Sequence, residues 1–222
     1  MQIHFAIMRL RPNRFWNWLC MACMAFCMVA CGDDDDEGSH IPSYITDFML
    51  VSTDAKGYIT TVTLDDGSIY PVTIQKRMTD YPDTTLRCRA NYTLDEGQLR
   101  LYGVGKVFAP KPVPASAFRL ILNGVSYDGE EYIPRDPVKV VSVWKSGGYI
   151  NLHLGLMTTG NGVHQYAFCE DSPGHYSLVH LRPYADAESY TEQIFMSMPI
   201  PEGMEELTFS VYTYDGIYTR TF

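Results

Sequence analysis

Beyond residue 46 the chain reads as an all-β protein, and three features of the sequence predict it. Apolar and polar residues alternate with period two in one segment after another, whereas long stretches with the 3.6-residue repeat of an amphipathic helix are hard to find. Turn signals carrying Gly or Asn recur between those segments. A proline-rich break, Ala109-Pro110-Lys111-Pro112-Val113-Pro114, divides the segments into a short group and a long one, because its prolines remove backbone donors and forbid a central strand. The short group places about five strands in little more than 60 residues, the proportions of a small, partly open OB-type barrel. The roughly 105 residues downstream fit a β-sandwich. The predicted organisation is a signal segment over 1–30, an acidic tether over 31–46, the barrel over 47–108, a stiff linker over 109–118 and the sandwich over 119–222.

The first 30 residues contain Arg9, Arg11 and Arg14, no Asp or Glu, and a nearly unbroken apolar run from Phe15 to Val29. Fifteen residues of helix fall short of the roughly 20 needed to cross a bilayer, so the segment reads as a secretory signal. Met28-Val29-Ala30-Cys31 resembles a bacterial lipobox, which makes Cys31 the predicted lipidation site. Asp33, Asp34, Asp35, Asp36 and Glu37 follow at once. Charges this dense repel one another and stay solvated, which makes the run a spacer. The run also resembles the surface-export signal of lipoproteins in Bacteroidales-type bacteria. The expected location is therefore the outer membrane, lipid-anchored and facing outward. Acyl chains contribute about 0.8 kcal/mol per buried CH₂, so two or three of them anchor a soluble domain durably.

In the barrel group, strands are expected near Phe48, Ile59, Ile69, Arg89 and Leu101. The clearest is the fourth, where Leu86, Cys88, Ala90, Tyr92 and Leu94 share one face and Arg87, Arg89, Asn91, Thr93 and Asp95 the other. In the sandwich group, Ile150, Leu152, Leu154 and Leu156 alternate with Asn151 and His153. Ile194, Met196, Met198 and Ile200 form another strand face, and Leu207, Phe209 and Val211 a third. Each is expected to belong to a sheet with one wet side. Asp65-Asp66-Gly67, Asp95-Glu96-Gly97, Ser146-Gly147-Gly148, Gly160-Asn161-Gly162 and Asp215-Gly216 supply the turns. A short helical turn is expected around Ala187 to Gln193. Cys20, Cys23 and Cys27 lie in the signal, while Cys88 and Cys169 sit on apolar faces and read as buried free thiols.

The charge balance excludes several functions. The formal net charge is −9, and without the first 30 residues 14 bases face 26 acids, a net of −12. Nucleic acid requires clustered Lys and Arg to displace counterions, and an anionic leaflet requires a polybasic patch; neither partner is expected. A hydrolase signature is missing, since no Gly-x-Ser-x-Gly elbow occurs and the acids fall mostly in turns. His153, His164, His175 and His180 are scattered at spacings that suggest no metal set, and no cofactor is called for. Trp144 shares an alternating strand with Val138, Val140 and Ser142 and is expected to anchor the sandwich core. The best ligand candidate is the basic, aromatic polar side of the barrel, Arg87, Arg89, Asn91, Arg100 and Tyr102, since OB barrels bind extended ligands on one face.

The string Leu64-Asp65-Asp66-Gly67-Ser68-Ile69-Tyr70, followed by Arg87-Cys88-Arg89-Ala90-Asn91-Tyr92-Thr93, resembles the N-terminal OB domain of NigD-like lipoproteins. Asp136-Pro137-Val138-Lys139-Val140, Trp144-Lys145-Ser146-Gly147-Gly148-Tyr149-Ile150-Asn151-Leu152 and then His164 resemble their C-terminal sandwich. The chain departs from the family pattern at Pro110-Lys111-Pro112 and at Arg182-Pro183. The resemblance implies a non-enzymatic lipoprotein of the outer membrane, with a suggested role in bacteriocin immunity and no catalytic residues. Its partners would be the membrane, through Cys31, and an extracellular protein, peptide or glycan. A fimbrial structural subunit and a carbohydrate-active enzyme stand as alternatives. The first is weakened because Lys56, the first basic residue after Cys31, lies beyond the first expected strand.

Overall fold

The computed structural model describes residues 44–72, 76–122 and 124–222. The signal segment, Cys31 and the acidic run Asp33 to Glu37 lie outside the described residues. The architecture is all-β, as the alternation predicts, with two short 3-10 turns at Ala115–Ala117 and Glu130–Tyr132.

Strands β1 (Ile45–Thr53), β2 (Ile59–Leu64), β3 (Ile69–Pro71), β4 (Thr85–Asp95) and β5 (Gln98–Lys106) form one sheet in the order β3-β2-β1-β4-β5. A parallel bridge between Val72 and Leu99 ties its two ends, curling the sheet into a partly open barrel. Met49, Val51, Val62, Cys88, Leu99 and Leu101 fill the interior. The inward row of β4 follows the sequence pattern from Leu86 to Tyr92, but Leu94 is exposed near the strand's end. The β4–β5 register shifts between Asn91 and Tyr92, leaving Tyr102 as an extra residue in β5. This bulge exchanges the faces of β5, so Leu101 and Val104, not Leu101 and Gly103, lie against the same core.

The second half contains β6 (Val113–Pro114), β7 (Arg119–Leu122), β8 (Val125–Asp128), β9 (Lys139–Ser146), β10 (Tyr149–Thr158), β11 (Gln165–Ser172), β12 (His175–Leu181), β13 (Tyr190–Pro199), β14 (Thr208–Thr213) and β15 (Gly216–Thr221). A three-stranded sheet, β13-β10-β9, faces a five-stranded sheet, β15-β14-β12-β11-β6. Between them lies a core that includes Ile150, Leu152, Leu154, Phe168, Leu178, Met198 and Phe209. A smaller apolar cluster, with Phe118, Ile133, Cys169 and Val179, covers the outer side of β11 and β12. Cys88 and Cys169 are both free and buried. Burial pushes each thiol up to about 12, so neither is a nucleophile at neutral pH.

Three local expectations change. Residues 187–189 form no helical turn, and β13 begins at Tyr190; the β-branched and aromatic residues beyond it favour a strand beside β10. Trp144 leaves the sandwich core because the β9–β10 register skips between His153–Ser142 and Leu154–Val140, making Val141 a bulge residue. Val140 and Val143 then pack into the core, while Trp144 turns to the opposite face and meets Phe48 of β1 edge-on at 5.4 Å. The third change concerns β10, which is buried on both faces, with Asn151 as hidden as Leu152. Its outer side is dry because Arg87 of β4 reaches Asn151 there and Phe48 of β1 packs on the flanking Trp144 and Phe195.

Leu152→Ala removes a fully buried side chain from the inner face of β10 and should lower unfolding free energy by about 2–5 kcal/mol. A urea titration at neutral pH checks it as a lowered midpoint with an unchanged slope.

Candidate functional site

The polar residues singled out on β4 and β5 fall into two groups. Arg87 and Arg89 lie under the second half of the chain, whereas Asn91, Arg100 and Tyr102 stay outside it. Arg87 is only 4% exposed, which removes it from any open ligand face. Its guanidinium makes a two-pronged ion pair with Asp65, one contact a very short one to Oδ1 and the other at 2.8 Å to Oδ2. It also donates from Nη2 to Asn151 Oδ1 at 3.0 Å and from Nε to Ser197 Oγ at 3.4 Å. Ser197 Oγ donates to Asn151 Oδ1 at 2.6 Å, Asn151 Nδ2 to Ser146 Oγ at 2.8 Å, and Ser146 Oγ to Asp65 Oδ2 at 2.5 Å. The rings of Tyr149 and Phe48 flank the cation at 4.2 and 5.3 Å. Every side of the charge is thus met by an acceptor or an aromatic face, the condition for keeping a cation out of water.

Each member of this seam is delivered by a local feature. Asp65 leads the β2–β3 turn, and its carboxylate occupies the space above Gly147, where a Cβ would sit 2.3 Å from Oδ1. Gly147 also has φ +57, so both its backbone and its missing side chain are required. Asn151 and Ser197 are direct partners across β10 and β13. Arg89, two residues on from Arg87, lies over the Phe195 ring at 4.0 Å, and His153 stacks on the same ring. The seam was concealed in the sequence because Asp65 and Ser146 read as turn formers and Asn151 as a wet-face residue. A usable signal was the pairing of small polar residues at the centre of the most apolar strands.

Asn91, Arg100 and Tyr102 form a smaller open patch. Asn91 and Arg100 are exposed, and Asn91 Oδ1 accepts from Thr46 Oγ1 at 2.7 Å. Tyr102 lies edge-on to Tyr44 with ring centres 4.5 Å apart. Hydrogen bonding to Thr93 and Arg100 lowers its phenol from the ordinary value. The patch therefore combines an aromatic pair, a guanidinium and an amide on the outer side of the barrel.

A second buried polar cluster gathers histidines that the sequence shows as scattered. His164 Nε2 meets Asp186 Oδ2 at 2.7 Å, His164 Nδ1 meets His180 Nε2 at 2.9 Å, and His180 Nδ1 meets the Asp136 carbonyl at 3.0 Å. A carbonyl only accepts, so His180 Nδ1 donates and its Nε2, in the neutral ring, accepts. His164 Nδ1 then donates to it, and His164 Nε2 lies against the Asp186 carboxylate. Burial pushes His180 down to about 4, with the neighbouring His164 adding to the shift and the Asp136 carbonyl opposing it. For Asp186, burial alone would raise the carboxyl, but hydrogen bonds from Thr158, Thr159 and His164 outweigh it and hold it well below the usual carboxylate range. Every ring nitrogen is engaged within the chain. Among the described residues no group of three or more His, Cys, Asp or Glu is placed to hold a metal ion.

No protein-family model matches the chain, and no curated protein matches it. Solved structures do. A NigD-like immunity protein from Bacteroides caccae ATCC 43185 is 24% identical, with a TM-score of 0.59 over 82% of this chain and 93% of that one. A candidate toxin-related protein from Parabacteroides distasonis ATCC 8503 is 16% identical, with a TM-score of 0.63 over 81% and 92%. A candidate lipoprotein from Bacteroides fragilis NCTC 9343 is 12% identical, with a TM-score of 0.53 over 81% and 96%. The chain shares its fold with these proteins, and the resemblance to the NigD-like family read from its motifs holds at that level.

Two outcomes follow from the buried groups. Arg87→Met leaves the Asp65 carboxylate without its cation and should destabilise the protein by about 3–5 kcal/mol in urea at pH 7. The His180 ring has a folded value below its unfolded 6.5, so its contribution is full above that pH and is lost as pH falls toward 4. Stability should drop by about 2 kcal/mol between pH 7 and 5; urea midpoints at the two pH values check it, and His180→Gln should flatten the slope.

Proposed function

We propose that this chain is a non-enzymatic lipoprotein, anchored in the outer membrane through Cys31, that displays its two β halves outside the cell to bind a protein, peptide or glycan. The observation that carries the reading is the order Met28-Val29-Ala30-Cys31 followed by five consecutive acids from Asp33 to Glu37, then a folded β protein. A hydrophobic signal ending at an acylatable cysteine addresses the chain to a membrane, and a repelling anionic spacer holds the fold clear of it. The fold shared with a NigD-like immunity protein and with a candidate lipoprotein supports the same reading. Protection against a bacteriocin is the role that joins these likenesses.

The non-enzymatic part of the reading draws on how the buried titratable groups are used. The Asp186–His164–His180 chain resembles a catalytic relay in composition, but it ends on the Asp136 carbonyl and holds no nucleophile at its head. The two buried thiols are held protonated. Binding, by contrast, needs an accessible aromatic and polar surface, and Tyr44, Asn91, Arg100 and Tyr102 provide one.

Loss of the chain should sensitise its host to a bacteriocin from related bacteria, and a Cys31→Ser copy should fail both to restore survival and to fractionate with the envelope. Unchanged survival across a panel of such toxins would overturn the immunity role. Arg100→Glu combined with Tyr102→Ala should reduce binding to immobilised glycans or envelope proteins at least tenfold while the chain still unfolds cooperatively in urea, with a loss of at most about 1 kcal/mol, since Arg100 is exposed and Tyr102 half-buried.

A further inference from the structure

The sandwich has two edges at its open side, and they are built differently. On one sheet, β9 is interrupted by the bulge at Val141 and begins just after Pro137 with Lys139 exposed. Bulges, prolines and lysines are the usual means of blocking strand addition. On the other sheet, β15 is the terminal strand and pairs with β14 in unbroken register from Thr208–Thr221 to Thr213–Gly216. Its backbone parity is set by the reciprocal bonds between Leu207 and Phe222. Counting back by two, Gly216, Tyr218 and Arg220 bond toward β14, which leaves the N–H and C=O groups of Ile217, Thr219 and Thr221 directed away from the sheet. All three are β-branched, and Ile217 is 59% exposed. The strand's single charge is held across the mouth: Arg220, an exposed residue, donates to the Val143 carbonyl of β9 at 2.6 Å.

A cavity opens on each face of this edge. One, of about 480 Å³, runs over the outer face of the five-stranded sheet and reaches β15 at Ile217 and Thr219. Glu130 and Asp171 line it against the lone cation Arg135, which already bonds Asp171 at 2.6 Å and lies over the Tyr212 ring. That trough carries an excess of negative charge. The other, of about 730 Å³, fills the mouth between β9 and the β14–β15 hairpin, lined by Val138, Val140, Met157, Ile217 and Tyr218 among others. That mouth is predominantly apolar.

We propose that β15 is an acceptor edge for an extended peptide segment of a partner protein, one that alternates apolar and basic residues. Added alongside β15, such a segment hydrogen-bonds to Ile217, Thr219 and Thr221, and its side chains point alternately to the two faces. Apolar side chains close the mouth between the sheets. Long basic side chains on the other face reach along the outer sheet toward Glu130 and Asp171. Charge selects this occupant, because the outer trough disfavours an acidic side chain and the whole chain is acidic at −9. The proposal deepens the binding role proposed above and rests on it, but it places the contact on the sandwich rather than on the barrel patch.

Fluorescence polarisation with the full-length protein in detergent tests it, using the labelled peptide acetyl-Thr-Val-Lys-Val-Lys-Val-Thr-amide as probe. The expected result is saturable binding, weakened at least tenfold when both lysines of the peptide are replaced by glutamate and at least fivefold by Glu130→Lys. Thr219→Pro removes one outward backbone donor without touching a backbone bond to β14; it gives up only the exposed hydroxyl contact of Thr219 with Ser210 at 3.1 Å, and proline is tolerated on an edge in that orientation. It should abolish binding while keeping the wild-type urea midpoint; if it misfolds, Thr219 N-methylation by semisynthesis removes the same donor. Absence of binding up to 1 mM peptide, or binding indifferent to Thr219→Pro, overturns the proposal. Concentration-dependent dimerisation that Thr219→Pro abolishes, with no peptide binding, overturns it in favour of a second copy as occupant. A Thr219→Pro chain that loses the peptide yet still protects cells from toxin would separate the two ideas, removing the edge from the protective role and leaving the lipoprotein reading intact.

Discussion

The arrangement of the molecule depends on one buried ion pair. Arg87 projects from β4 of the barrel, and Asp65 leaves the same barrel at the β2–β3 turn, yet both finish against Ser146, Asn151 and Ser197 of the sandwich. A flat apolar patch could accept the second half in several orientations. A guanidinium with five donors in a fixed fork accepts one. The barrel and the sandwich therefore form one compact unit, and the relative placement of their surfaces is set by hydrogen-bond geometry as well as by packing. Desolvation of both charges offsets much of the Coulombic gain, so the seam's contribution lies more in fixing orientation than in net stability.

That constraint explains which parts of the structure were legible in the sequence. The barrel strands fall where alternation places them, at Phe48, Ile59, Ile69, Arg89 and Leu101. The inward rows of β10, β13 and β14 contain the residues their period assigns them. Alternation reports the difference between two faces of a strand. It does not report whether the more polar face is wet. Asn151, His153 and Ser197 were polar enough to suggest solvent, but they meet another polar set from β4, and a dry interface between two such sets looks like surface from either side. Trp144 was misplaced for a second reason, because the single-residue bulge at Val141 reverses the pattern without changing composition, as the bulge at Tyr102 does for the residues of β5 beyond it. Of the five residues proposed as a ligand face, the structure leaves Asn91, Arg100 and Tyr102 open and draws Arg87 and Arg89 beneath the sandwich.

The histidine cluster was illegible for a reason of topology. His164, in the loop just before β11, and His180, on β12, are 16 residues apart, Asp186 follows in the loop after β12, and Asp136 comes from the segment before β9. Sequence spacing can identify ligands on one helix or one turn, but not four groups delivered by separate strands and loops. Once assembled, the cluster does for the far end of the sandwich what Arg87 does for the seam. Asp186 also accepts from the backbone of Thr159 and Asn161, so a single carboxylate gathers the end of β10, the loop after it and the histidine that precedes β11. Polar groups hold the irregular segments, while apolar groups hold the sheets.

Surfaces follow from the same division of labour. A sandwich built from three strands facing five has unequal widths, so the wider sheet has margins that the narrower one does not cover. Here the overhang at the β15 side is only clipped, by Arg220 reaching across to Val143 and by the Val138–Thr213 bridge at the opposite end. Between those two clips the edge keeps an unbroken register, and its outward donors have no partner among the described residues. The β6 edge of the same sheet is treated differently, being short, ended by Pro114 and overlaid by the cluster around Phe118. A long acceptor edge carries an aggregation hazard that chains usually suppress with a proline or an outward-facing charge. On β15 the available charge is instead held across the mouth, and the edge opens on one side to an anionic trough and on the other to an apolar mouth. Those two surroundings discriminate among strands, which a bare backbone edge cannot do, and they restrict what can add to an otherwise permissive row of hydrogen bonds.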